Sequence, residues 1–303
     1  MPPGSSATEG PPGVRRLIVT ADEFGVHVAV NEAVEQAFTG GILTCASLMM
    51  GAPATADAVE RARRLRGLGV GLHLTLSDGA PISPLHTVRG LIDSNGRFRD
   101  DLARTGFNWA FNPLIRLQLA QEINAQFQAF ISTGLVLDHV NVHQHLHLHP
   151  TVSSLLIHIG RRYGLLAIRV PDEPRGVLMK AEPGRALPRS NLRPVQYLLR
   201  RRARRARLIA NDNVFGLAWS GHMTEERLLA LIPHLPPGLN ELYTHPATAD
   251  ASAMPHAAPG YEYREELRAL LSPAVRRAVE DEHIVLTRYS SALARGVARE
   301  APA

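Results

Sequence analysis

Short apolar runs alternate along this chain with stretches that carry apolar residues at helical spacing. Residues 16–20, 44–50, 69–74, 135–141, 167–170, 238–244 and 283–286 read as buried strands. Residues 31–38, 56–65, 113–133, 151–163 and 264–271 read as helices. Gly40 and Gly41 close the first helix, and Pro150 suits the first turn of the fourth. A long loop with Pro81 and Pro84 follows the third strand, and an arginine-rich helix follows the fifth. Alternation of this kind predicts a parallel sheet with helical cover. The expected fold is α/β, an irregular (β/α) barrel with about seven mainly parallel strands; a doubly wound open sheet is the alternative. One domain is expected over residues 15–291, between an N-terminal tail at 1–14 and a C-terminal tail at 292–303. No Gly-x-Gly-x-x-Gly follows the first strand, and no Walker-type loop or internal repeat is present.

Polar residues gather just past the expected strand ends. Asp22 and Glu23 follow the first strand, His73 ends the third, Asn141 and His143 follow the fourth, Arg169 ends the fifth and His245 follows the sixth. In a parallel barrel or open sheet, that edge is where active sites are built. Each residue alone has a plainer reading. Asp22 and Glu23 could cap a helix, His73 could be a satisfied core histidine, and His245 could sit in a loop. Their convergence from separate strands favours a site.

The densest signal is residues 137–150, which hold His139, His143, His145, His147 and His149. All are at odd positions, so an extended backbone would line them on one face. Neutral imidazole is the commonest metal ligand, and solvated histidines near a strand end are the alternative. With the strand ending near Asn141, His143 falls at the active edge. His145 and His147 become pocket lining, His139 points from the strand body, and His149 precedes the helix.

Composition narrows the setting. The chain has 303 residues, 45% of them hydrophobic, and a single cysteine. That excludes an internal disulfide framework and fits a reducing, cytoplasmic compartment. Cys45 reads as a small buried residue, since no basic neighbour lowers its pKa. Neither a secretory signal nor a transmembrane run is evident. The net charge of +5 is concentrated between Arg193 and Arg207, which hold seven arginines. A solvated amphipathic helix is the plain reading. Peripheral docking of Arg200, Arg201, Arg204 and Arg205 on an anionic membrane is the next. Nucleic acid is not an expected partner, because no recognition motif accompanies the charge.

One carboxylate and two histidines leave open positions on a divalent ion, zinc or magnesium, one per chain. A second carboxylate can take a proton from water and a further histidine can protonate a leaving amine. That inventory suits amide hydrolysis. The same set could hold Fe(II) for oxygen chemistry, but the barrel pattern and the adjacent base argue for hydrolysis.

Residues 20–25, 71–74, 140–145 and 244–247 resemble, in order, the four motifs of the YdjC/ChbG-type carbohydrate deacetylases. The likeness spans residues 15–286. Residues 138–141, 169–174 and 215–221 most resemble the hopanoid biosynthesis-associated deacetylase branch (HpnK). The resemblance implies a barrel that removes acetyl groups from N-acetylated sugars. It also implies Asp22 as base, Glu23, His73 and His143 as metal ligands, and His245 as acid. His27, Asn141, His145 and Arg169 are the candidate substrate-binding residues. For the hopanoid branch the implied substrate is an N-acetylglucosaminyl lipid. A soluble N-acetylated oligosaccharide such as chitobiose, or a degenerate glycolipid-binding role, are the alternatives. The chain departs from the family in carrying Glu23 where an aspartate is usual. A homodimer is the expected oligomer if one forms.

Overall fold

The structure, a computed structural model, describes residues 13–184, 191–255 and 257–292. The expected tails therefore lie outside the described residues, apart from Gly13, Val14 and Ala292. The strands are β1 (Arg15–Phe24), β2 (Cys45–Leu48), β3 (Gly69–Leu74), β4 (Val140–Val142), β5 (Ala167–Ile168), β6 (Ile209–Ala210), β7 (Asn213–Phe215), β8 (Gly238–Thr244) and β9 (Val285–Leu286). The helices are α1 (Val28–Gly40), α2 (Thr55–Arg64), α3 (Leu102–Phe111), α4 (Pro113–Ser132), α5 (Pro150–Gly160), α6 (Arg175–Ala181), α7 (Arg193–Arg205), α8 (Glu225–Leu231), α9 (Tyr263–Leu271) and α10 (Pro273–Asp281).

Every ladder between these strands is parallel, in the order β6-β5-β4-β3-β2-β1-β8-β7. The two end strands are joined by only Asn211 and Asp212. Parallel pairing at both means that the chain runs straight on, beside β5 first and beside β8 further along. The ends of the sheet thereby meet and the sheet curls on itself, as the alternation predicts. β9 pairs with Arg16 and Leu17 of β1, below the point where β2 joins at Thr20.

The period of two sorts the layers. Leu17, Val19 and Ala21 of β1, Val140 and Val142 of β4, and Ile168 and Val170 beside them face the helices and form the main core. The intervening residues face inward. At the base a small apolar cluster contains Ile18, Cys45, Ala167, Leu239 and Tyr289. Above it the lining turns polar, with Thr20, Ser47, His139, Asn141, Arg169 and Glu241 all fully buried. Gly71 makes this possible, because a Cβ there would lie 2.5 Å from the His139 ring.

Some expected elements changed. The strand expected at 135–141 narrows to β4, Val140–Val142, because residues 135–139 do not sustain a ladder. The strand pair β6 and β7 and the helices α3, α6, α8 and α10 were not expected; the short ones span too few residues to show a period. Among the described residues no helix is long and apolar enough to cross a membrane.

Replacing Gly71 with alanine forces a methyl group against a fully buried imidazole. A loss of ~1–3 kcal/mol of stability is expected, read as a lower denaturation midpoint with an unchanged slope. An unaltered midpoint would mean that the His139 ring has room to move.

Candidate functional site

The mouth of the barrel is shaped by a break in the β1 alternation. Strict alternation would point Asp22 inward and Glu23 outward. The register with β2 slips between Ala21 and Phe24, and Glu23 adopts φ 63°. A non-glycine residue rarely takes that left-handed conformation, and it recurs where a side chain must be re-aimed. The bulge returns Glu23 to the mouth, with its Oε1 3.6 Å from His143 Nδ1. Adjacent carboxylates thus serve one site.

Asp22 is 2% exposed and tightly held. Arg169 donates to its Oδ2 at 2.6 Å and its Oδ1 at 3.0 Å, and Asn141 Nδ2 donates to Oδ1 at 2.8 Å. Burial would raise its pKa. The Arg169 guanidinium, with His73, outweighs burial and holds the carboxyl well below the usual range. Behind Arg169, Glu241 accepts from its Nε and Nη2 at 3.0 and 2.8 Å. Glu241 also accepts from Thr20 Oγ1 at 2.8 Å and Tyr289 OH at 2.6 Å. The Arg169 guanidinium also lies 4.6 Å from the Tyr243 ring centre.

These bonds fix the histidine tautomers. Because Asn141 gives its NH2 group to a carboxylate, its carbonyl oxygen faces His73 Nδ1 at 2.8 Å. His73 therefore carries its proton on Nδ1, and Nε2 presents a bare lone pair. Burial lowers the His73 pKa to about 4 despite Asp22, which keeps the ring neutral. His143 turns Nε2 toward Asp78 Oδ2 at 3.5 Å, and its Nδ1 faces His73 Nε2 at 3.3 Å. Burial opposes protonation of His143, but Asp78 and Glu23 together raise its pKa. Two nitrogens 3.3 Å apart with partners behind them call for a shared proton or a cation. Ligand atoms on a tetrahedral ion with bonds of about 2.0–2.2 Å lie roughly 3.3–3.6 Å apart. The two contacts from His143 Nδ1, to His73 and to Glu23, match that spacing. His73 and Glu23 are more than 4.8 Å from each other, so the Glu23 carboxylate would have to swing toward His73 for the three to hold a divalent cation together.

A second group of metal-capable atoms lies deeper. Cys45, Asp138 and His139 bring donor atoms within 4.8 Å of one another. Their lone pairs are already engaged. His139 contacts Asp138 Oδ2 and Ser47 Oγ at 3.1 Å each, and Asp138 Oδ1 accepts from Ser290 N at 3.0 Å. Burial pushes the Cys45 thiol well up, away from the thiolate that a metal requires. We read this group as a hydrogen-bonded plug at the barrel base.

Comparison with known proteins fits this geometry. The model of the family described as "YdjC-like protein" matches residues 16–281. The chain belongs to the YdjC-like family. It is 30% identical to a carbohydrate deacetylase of Geobacillus stearothermophilus over 277 residues, 91% of this chain and 97% of that one. A carbohydrate deacetylase of Thermoanaerobacter pseudethanolicus is 27% identical over 277 residues, 91% and 99% of the two chains. Among solved structures, a putative cellobiose-phosphate cleavage protein from Enterococcus faecalis V583 superposes with a TM-score of 0.73. It is 24% identical, covers 92% of this chain and 99% of its own, and supports the same fold.

Several residues of this YdjC-like chain sit differently from expectation. The histidine tract is no stripe. Gln144 and His145 both take left-handed backbone, φ 53° and 54°, which coils residues 143–148 into a tight turn. His145 Nε2 meets Tyr243 OH at 3.2 Å, His147 Nε2 meets the Arg169 carbonyl at 2.9 Å, and His149 caps α5. Asn141 and Arg169 were expected to touch substrate, but both are fully buried with their polar groups engaged. Both position Asp22, and Asn141 also positions His73. His27 caps α1, with Nδ1 accepting from Ala29 N at 3.1 Å. His245 is 8% exposed, 5.0 Å from the Tyr261 ring, and its backbone N–H donates to buried Glu266.

Sequence reasoning passed over Asp78, Glu241, Tyr243, Tyr261 and Glu266. Glu241 was the findable one, a charge inside an apolar strand. The two stretches at 169–174 and 215–221 pack together, since Glu173 accepts from the backbone N–H groups of Gly216, Leu217 and Ala218 at 2.9–3.0 Å. On α7, Arg200 is turned inward to the carbonyls of Asn211 and Asp212 at 2.9 and 3.0 Å. Arg201, Arg204 and Arg205 are exposed, in turns that lead to the start of β6 rather than to the mouth.

Acid should unfold this chain early, for a specific reason. Burial lowers the His147 pKa to about 3, and the His139 contact helps bring Asp138 to about 2 against its burial. Both groups bind protons more weakly folded than unfolded. Stability is therefore lost from about pH 6.5 down to 3 through His147, and from about 4 to 2 through Asp138. Each contributes a slope of up to about 1.4 kcal/mol per pH unit. Urea titrations of the His147→Gln variant should show a flatter profile between pH 6 and 4; an identical profile would place the acid sensitivity elsewhere.

Proposed function

We propose that this chain is a metal-dependent carbohydrate N-deacetylase. Membership of the YdjC-like family supports the reaction class. The observation that carries the metal is the opposed nitrogen pair, His73 Nε2 and His143 Nδ1 at 3.3 Å, with Glu23 beside it. A divalent cation there, zinc or magnesium, would polarise the amide carbonyl and acidify water. The chain's own residues do the rest. Asp22 stays ionised at every working pH and accepts the proton of the attacking water. Asn141 and Arg169 hold its carboxylate still, so little reorganisation accompanies attack. His245, packed on Tyr261, protonates the departing nitrogen, leaving acetate and a free amine. Glu23, turned to the mouth by the bulge, would supply the carboxylate ligand.

For the substrate we propose an N-acetylglucosaminyl lipid of the hopanoid kind. The stretches at 169–174 and 215–221 support this, because they carry the likeness to that branch and build one wall together. A soluble N-acetylated oligosaccharide such as chitobiose is the second reading, compatible with the carbohydrate deacetylases that the chain resembles.

Acetate release from an N-acetylglucosaminyl hopanoid in detergent should stop on chelation and return with one added divalent ion. Cleavage of only a soluble N-acetyl sugar would keep the deacetylase and discard the lipid. Release that survives exhaustive chelation would sink the metal. In parallel, Asp22→Asn should lower kcat by ~10²–10⁴-fold while metal content, measured by elemental analysis, is retained. Full activity in that variant would remove Asp22 from the chemistry.

A further inference from the structure

α3 and the start of α4 leave a cluster of large apolar side chains uncovered. Phe107, Phe111, Leu114 and Leu117 are 65%, 71%, 70% and 68% exposed. The two phenylalanine rings pack on each other at 4.8 Å. Scattered exposed apolar residues need no explanation, but a contiguous set does. No helix, loop or terminus among the described residues covers this one.

Its place in the barrel is informative. α4 ends at Ser132, ahead of β4, so its first turns lie at the opposite end, toward the mouth. On α3, Trp109 lies 5.6 Å from the ring of His149, which caps α5 directly after the His143 turn. The patch therefore stands on the rim of the same edge that holds Asp22 and His143. Its surroundings carry an excess of basic charge as well. From Arg97 to Gln121 the chain carries Arg97, Arg99, Arg104 and Arg116 against Asp100 and Asp101.

Four such side chains at these exposures offer about 500 Å² of apolar surface. Area alone fits a dimer as well, since about 800 Å² of total surface per partner is little more than half apolar, so composition selects the occupant. Aromatic and leucine side chains flanked by arginine are the composition of a segment lying in a bilayer interface.

We propose that this rim docks the enzyme on an anionic lipid surface, with Phe107, Phe111, Leu114 and Leu117 entering the headgroup boundary and Arg104 and Arg116 on lipid phosphates. The barrel mouth then faces the membrane. This rests on the reading of a lipid-linked substrate, and it assigns the docking role to a surface other than the arginines of α7.

The test uses the full chain and vesicles of phosphatidylcholine and phosphatidylglycerol that contain no substrate. Co-sedimentation of the wild type is expected. Combined Phe107→Ser, Phe111→Ser, Leu114→Ser and Leu117→Ser should reduce partitioning at least ~10-fold, a loss of about 1.4 kcal/mol or more, with turnover of a soluble N-acetyl sugar unchanged. Arg201→Ser with Arg204→Ser and Arg205→Ser should partition like the wild type. Wild-type partitioning by the four-serine variant would overturn the proposal. So would a wild-type dimer in sedimentation velocity that this variant loses, since a second copy would then be the occupant. Failure of the lipid-substrate reading shows separately, as absent acetate release in detergent, where docking is not required.

Discussion

A fully buried guanidinium organises this barrel. Arg169 is held between Asp22, which faces the mouth, and Glu241, which faces the base. Taking such charges out of water is costly, and removing one partner leaves the others uncompensated. The arrangement is tolerable because three of the four carboxylate oxygens have a further donor, in Thr20, Tyr289 and Asn141. Its consequence is that Asp22 is ionised and immobile. Ionised Asp22 orients the Asn141 amide, the amide sets the His73 tautomer, and that tautomer aims a bare lone pair at His143. The site's chemistry thus follows from one buried ion group through three successive hydrogen-bond choices.

The second constraint is backbone strain at the mouth. Glu23, Gln144 and His145 all adopt left-handed conformations without being glycine. Both bends lie at ends of parallel strands, where alternation would otherwise send neighbouring side chains to opposite layers. One brings Glu23 to His143; the other disperses the histidines that follow. Rigid strands supply the positions and two short bends supply the convergence, so the layered core is undisturbed by the polar site above it.

Much of this was legible beforehand. Alternating apolar runs gave the parallel curled sheet, and polar residues at strand ends marked the edge where Asp22, Glu23, His73 and His143 meet. Periodicity could not report the bends. The odd-numbered histidines looked like a stripe because sequence spacing presumes a continuing strand, whereas two left-handed residues coil it. Nor could it separate residues that face solvent from those behind them. Arg169 and Asn141 read as substrate contacts, and spacing gave no sign of the support they give Asp22. Asp78 was missed because its importance comes from His143, a partner distant in sequence. The strands β6 and β7 were invisible because two or three residues carry no period.

The cation site between His73, His143 and Glu23 is the claim on which the functional account turns. Anomalous diffraction from crystals grown with zinc, recorded above and below the zinc edge, tests it directly. The account predicts a single strong peak within bonding distance of His73 Nε2, His143 Nδ1 and a Glu23 carboxylate oxygen. A peak instead among Cys45, Asp138 and His139, or no peak beside His73 under saturating zinc, would contradict it.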